Sequence, residues 1–353
     1  MFAKSTLASA VAAAIGVSAV GIAQADSVFF PQVVLSDTVT TIASVINTTA
    51  SNWDNAGNVS TTHLHYRFYY KAGVNASDAT ASCEEYDEYL PTSIGDIQTI
   101  DLSGHFGADT LGVLFNDPSI NNNWAATNRD YAFGRNVAPA RGYLYVDNSA
   151  NSGNTLGGEA FVFEFGSGAA WGYQAYNTNN ANYAWAASAS PSLVPLMPFG
   201  EITTAFFVTP VSVDQAPDVA NDYRARVEFF TSMQRGDVYD RDENLISGTV
   251  PQDVVCVARI DAMDLLSDGA MARIADGGWA RLLNYRLTSN SSTASPANIN
   301  ATATDDAASL SAAATKLTAD DGAVVIKLEY NIGGTFNGES VGGTYNNAII
   351  YQP

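Results

Sequence analysis

Short runs rich in Thr, Val, Ile, Tyr and Phe follow one another from Val33 to Gln352, broken by clusters of Asn, Gly, Ser, Asp and Pro. No other feature constrains the fold as much. β-Branched and aromatic residues suit a pleated, half-buried surface, and the turn residues between them close the connections. The series includes VVLSDTVTTIASVINTT, HLHYRFYYK, TIDLSG, TLGVLF, GYLYVD, EAFVFEFG, ITTAFFVTPVSV, YRARVEFFTS, DVVCVARIDAM, VVIKLEYNI and NNAIIYQ. In YRARVEFF, Tyr223, Ala225, Val227 and Phe229 take one face while Arg224, Arg226 and Glu228 take the other. That period of two marks an antiparallel strand with one wet side. Helical periodicity is confined to Ala262–Ala275 and Asp305–Leu317, both with weak apolar stripes. The expectation is an all-β, antiparallel sandwich-like body with little helix. Two Asn- and aromatic-rich loops, 116–136 and 175–195, are long enough to be functional.

The first residues, MFAKSTLASAVAAAIGVSAVGIAQA, carry one lysine, an apolar Ala/Val/Ile/Gly run and a small-x-small end at Ala23-Gln24-Ala25. This predicts a signal peptide over residues 1–25, with no cysteine beside the cut to take a lipid, and a mature chain from Asp26. No later apolar run is long enough for a transmembrane helix. Alternating strands in an exported chain can also face lipid, which keeps a β-barrel as a rival. The two cysteines, Cys83 and Cys256, are expected to pair in an oxidising compartment, two buried thiols being the alternative. Closing so long a loop is worth roughly 5 kcal/mol in the chain-entropy model. A bridge of that reach argues for one β-rich body over 26–353, with any subdivision near 136–150.

The chain holds 16 Lys+Arg against 36 Asp+Glu, a net charge of −20. Such a surface repels nucleic acid and anionic lipid and attracts divalent cations.

Several motifs invite chemistry. His63 and His65 share a strand face, and His105 is the remaining imidazole. A catalytic zinc needs three ligands and an open position. Yet Arg67 and Lys71 stand on the same odd-numbered face as the two histidines, and Leu64, Tyr66, Phe68 and Tyr70 form the face to bury. The reading is a polar strand face turned to water. GESVG, 338–342, has the form of a nucleophile elbow around Ser340, but no helix follows and no histidine lies beyond it, so it reads as a hairpin loop. In GDVYDRDENLIS, Asp237, Asp240, Asp242 and Asn244 imitate the opening of a calcium loop, whereas Leu245 and Pro251 stand where an EF-hand needs Gly and Glu. A looser Ca²⁺ loop and an ordinary acidic connection are both open. CEEYDEYLP reads as a solvated acidic run. Finally Trp124, Tyr131, Trp171, Tyr173, Tyr176 and Trp185 sit among Asn and Gly. Rings so placed suit contact with a sugar or a protein partner, or they close the ends of the sandwich.

In overall make-up the mature chain is similar to exported bacterial envelope proteins of the surface-layer or adhesin kind, a resemblance of composition without a specific motif. It implies assembly outside the inner membrane, at the cell surface, in the extracellular space or in the periplasm. The functional expectation is a non-catalytic structural or interaction protein whose partners are other copies of itself or surface glycans and proteins. The alternatives are a carbohydrate-binding module or adhesin that uses the loop rings, and a secreted hydrolase with a histidine metal site.

Overall fold

The computed structural model describes residues 27–48, 63–92, 95–103, 113–115, 139–148, 156–164, 169–177, 192–212, 224–229, 238–287, 321–330, 335–336, 339–340 and 346–351. Strands in the first third are β1 (Ser27–Leu35), β2 (Val39–Asn47), β3 (His63–Ala72), β4 (Glu84–Pro91), β5 (Ile97–Asp101) and β6 (Val113–Phe115). Next come β7 (Ala140–Asn148), β8 (Leu156–Glu164), β9 (Ala169–Gln174), β10 (Tyr176–Asn177), β11 (Ser192–Leu196), β12 (Thr203–Ser212) and β13 (Arg224–Phe229). The remainder are β14 (Val238–Asp240), β15 (Leu245–Ile246), β16 (Gln252–Val255), β17 (Ala258–Asp261), β18 (Gly278–Leu287), β19 (Asp321–Tyr330), β20 (Thr335–Phe336), β21 (Glu339–Ser340) and β22 (Asn346–Tyr351). The protein is all-β and antiparallel.

The strands form four main sheets. Sheet I runs β10-β1-β7-β3-β4 and sheet II runs β6-β5-β2-β8-β9. Sheet III runs β17-β12-β19-β22; sheet IV runs β15-β14-β18-β13-β16, with β11 added on β18. Sheets I and II enclose an aromatic core around Phe30, Tyr66, Phe68, Leu144 and Val162. Gly158 of β8 lets them approach, since a Cβ there would lie 2.7 Å from the Phe30 ring.

Sheet III is buried on both faces. Phe207, Val324, Ile326 and Leu328 join the first core, whereas the alternate residues Phe206, Val208, Ala323 and Val325 join a second, aliphatic core with sheet IV. Burial on both sides explains why β12 and β19 read as continuous apolar runs rather than alternating ones.

The sequence expectations hold for most strands and fail at identifiable places. DVVCVARIDAM is two strands, because Cys256 takes a positive φ of 62° and redirects the chain from sheet IV to sheet III. The expected helix over Ala262–Ala275 is divided into a 3₁₀ turn, Ala262–Leu265, and a short helix α1, Asp268–Arg273. Between them Leu266 is extended, and the Ser267 hydroxyl accepts from Ala270 N–H, so the cap restarts the helix. Asp305–Leu317 lies outside the described residues. The acidic run CEEYDEYLP includes β4, an edge strand of sheet I, where charge discourages pairing with foreign strands.

Candidate functional site

The disulfide Cys83–Cys256 closes a 173-residue separation and is buried. It sits at a joint. The 3₁₀ turn Gly73–Ser77 follows β3, and the carbonyl of Ala79 just beyond it accepts from both Lys71 Nζ (3.1 Å) and Val255 N–H (2.9 Å). Lys71 Nζ also donates to the Asp78 carbonyl at 2.8 Å. Burial lowers the Lys71 pKa to about 8.

The histidine strand is only partly the wet face expected. Tyr69 and Lys71 on its odd-numbered side are 2% and 1% exposed. The Tyr69 ring stacks on Tyr143 at 4.9 Å, and its hydroxyl donates to Glu85 at 2.8 Å. Burial is also the largest cause that raises the Tyr69 pKa. Farther along the same side, His65 Nδ1 lies 3.7 Å from Asp147 Oδ2, the oxygen that Arg67 also engages. The Arg67 guanidinium lies 4.9 Å over the Tyr145 ring. A metal on His65 would have to displace that cation. Cross-strand register also sets Asp147 between Ser27 and His65, so hydroxyl and imidazole are two strand spacings, about 10 Å, apart. A Ser–His–Asp relay needs the imidazole in the middle. The side chain of His63, and His105 altogether, lie outside the described residues.

Ser340 stands in β21, paired with Thr335 of β20 in the expected hairpin. Asp240, Asp242 and Asn244 meet in the turn between β14 and β15, where the Asp240 carboxylate accepts hydrogen bonds from the turn itself. Asp240 Oδ1 accepts from Asp242 N–H (2.9 Å) and Asn244 N–H (2.8 Å), and the Asn244 side-chain amide reaches Asp240 Oδ2 at 3.0 Å. These bonds, that from the Asn244 side chain first, hold the Asp240 carboxyl below its usual pKa. Asp237 lies outside the described residues. Among the described residues no group of three or more His, Cys, Asp or Glu side chains is placed to hold a metal ion.

The loop aromatics divide. Trp124, Tyr131 and Trp185 lie outside the described residues. Tyr173 and Tyr176 are core residues, each 6% exposed, and Trp171 is half-buried. Two of them serve a bulge in β1 at Pro31-Gln32, where the register with β7 shifts. A bulge leaves backbone groups outside the ladder, and buried groups need partners. Tyr173 Oη accepts from Gln32 N–H at 3.2 Å and donates to the Gln32 carbonyl at 2.5 Å. Trp171 Nε1 donates to Gln32 Oε1 at 3.2 Å, and Thr209 Oγ1 donates to the Pro31 carbonyl at 2.6 Å. Sheets I, II and III therefore meet at this one irregularity.

What the sequence reading missed is the outer face of sheet IV. Register aligns Pro195 with Trp279, Trp279 with Tyr239, and Tyr239 with Leu245. The row crosses four strands, and Leu193 adjoins it beside Arg281. Leu193 and Leu245 are 59% and 40% exposed; Pro195 is exposed, Trp279 and Tyr239 partly so. Tyr239 and Trp279 stack at 4.4 Å. The neighbouring positions, Val194, Val238, Ile246 and Ala280, fill the second core, which fixes the row outward. Beyond Arg281 the same face carries Glu228, Arg226 and Asp253, the last two joined by an ion pair. Burial pushes the Glu228 carboxyl up to about 7, against the pull of Arg226. The aromatic and aliphatic content of GWARLLNYRL is the signal for β18 that sequence reading left unused.

No protein-family model matches this chain, and comparison with curated proteins gives no significant relative.

Proposed function

We propose that this chain is an exported, non-catalytic structural or interaction protein of the cell surface or the extracellular space. One observation carries the reading: a row of apolar side chains, the exposed Leu193, Pro195 and Leu245 with the partly exposed Trp279 and Tyr239, on the outside of a sheet whose other face is already packed. Apolar surface gathered in one place on an otherwise acidic chain marks a contact surface. The buried disulfide supports folding in an oxidising compartment. The signal-like residues 1–25 support export. Calcium enters this reading only as a counter-ion of the acidic surface, because the Asp240 oxygens are already bonded within their turn.

The test is location. A tagged chain expressed with residues 1–25 should be recovered with Asp26 as its first residue, and protease added to intact cells should destroy it. Recovery from the cytoplasm with Met1 retained and full protection from the protease would end the proposal.

A further inference from the structure

We infer that the outer face of sheet IV receives a second copy of this chain, face to face, about a two-fold axis. The inference rests on the interaction-protein reading above and names its partner.

Three observations select that occupant. The first is ring geometry. A sugar stacks on an open aromatic face, but Tyr239 and Trp279 stand face to face at 4.4 Å, with Pro195 and Leu245 across the ladder on their other sides. The row thus presents edges and aliphatic groups, which pack against another apolar sheet face about 10 Å away.

The second is charge. Residues 224–286, which build most of sheet IV, hold 8 of the 16 Lys+Arg and 10 of the 36 acids. The remainder carries most of the net charge of −20. Two copies repel each other over most of their surfaces and least where these segments meet.

The third is the border of the row. Arg281, Arg226 and Asp253 occupy neighbouring positions of that face, with both signs present, while Glu228 among them is buried. A two-fold contact is isologous, so a patch must complement itself. A border of mixed sign does that, setting an arginine of one copy against an acid of the other. The apolar row spans three strand spacings, roughly 15 Å, so the contact is smaller than a permanent dimer needs and belongs to the weak, reversible class.

The experiment is sedimentation velocity on the mature chain, disulfide intact, from about 5 to about 500 µM. The weight-average mass should climb from monomer toward twice that value. Leu193→Glu with Leu245→Glu, both at exposed positions, should hold it at monomer with an unchanged melting temperature. Val74→Glu, on the 89%-exposed residue of the Gly73–Ser77 turn, should associate like the parent. A parent that stays monomeric throughout overturns the inference, as does association that the double variant leaves intact or that Val74→Glu abolishes equally. A monomer that is nonetheless exposed on intact cells removes self-docking alone and leaves the broader reading standing.

Discussion

The two cores of this protein bury comparable sheets with different side chains. Between sheets I and II many of the buried polar groups are bonded, several of them across sheets. Tyr66 donates to Gln98 at 2.8 Å, and Gln98 to Asp96 at 3.2 Å. Asp101 accepts from Ser103 Oγ at 2.8 Å and from the Thr40 hydroxyl. Tyr173 grips both backbone groups of Gln32. Between sheets III and IV the filling is Val, Leu, Ile, Ala and two edge-to-face rings, Phe206 and Phe229. Among the polar groups buried there is a charge pair. Lys327 and Glu329 are 0% and 5% exposed and engage each other along β19. Desolvation is the first cause that lowers the Lys327 pKa. The lesson is one of specification. A bond from Tyr173 to Gln32 fixes one sheet relative to another, whereas a pair two residues apart on one strand fixes nothing beyond that strand. The first core is located by hydrogen bonds, the second by packing.

The disulfide is where the comparison breaks most sharply, since it joins the strand-switch residue of the second half to the loop after β3. Replacing Cys83 and Cys256 together by Ser should cost roughly 5 kcal/mol and split the calorimetric transition into two. An unsplit transition at the parent's temperature would show that sheet III alone couples the cores.

A smaller loss is expected inside the second core. Glu329→Leu strands the Lys327 ammonium in apolar surroundings and should cost about 3–5 kcal/mol in urea unfolding. Lys327→Met with Glu329→Leu should instead match the parent or exceed it by about 1–4 kcal/mol, because buried ion pairs repay their desolvation poorly. A double variant as damaged as the single one would mean that the pair positions something beyond β19.

How much of this was legible in the sequence follows from the range of each interaction. The runs that became β3, β7, β8, β12 and β19 were readable because their composition alone marks them. The odd face of β3 was misread beyond Arg67, since the partners that bury Tyr69 and Lys71 are Tyr143 of β7 and the carbonyls of residues 78 and 79. Alternation records which side differs, not what covers it. The Asn and Gly around Tyr173 and Tyr176 leave both contact with a partner and closure of the sandwich ends open for these rings. The place of Tyr173 is set by a bulge 141 residues earlier and that of Tyr176 by its pairing with Phe29, neither of which a local pattern announces. Trp279 was missed for the opposite reason: Leu282 and Leu283 interrupt the alternation of β18. The cysteine pair was legible because only two thiols exist to be paired.

The mildest prediction tests the first core at its irregular point. Tyr173→Phe keeps the ring and removes only the hydroxyl that serves Gln32 N–H and C=O. Two buried backbone groups then lose a partner, and the expected cost is about 1–3 kcal/mol. Packing arguments alone give almost nothing, since the volume is conserved. The complementary change, Phe206→Leu in the second core, touches no hydrogen bond and should cost about the same through lost contact. The two variants differ in where the damage is read. Amide exchange in Tyr173→Phe should quicken around Gln32 and Val33, where the bulge loses its anchor, while Phe206→Leu should loosen β12 and β13 together. If Tyr173→Phe is silent in both stability and exchange, the bulge is held by Thr209 and Trp171 without it, and the contrast between a bonded core and a packed one loses its clearest instance.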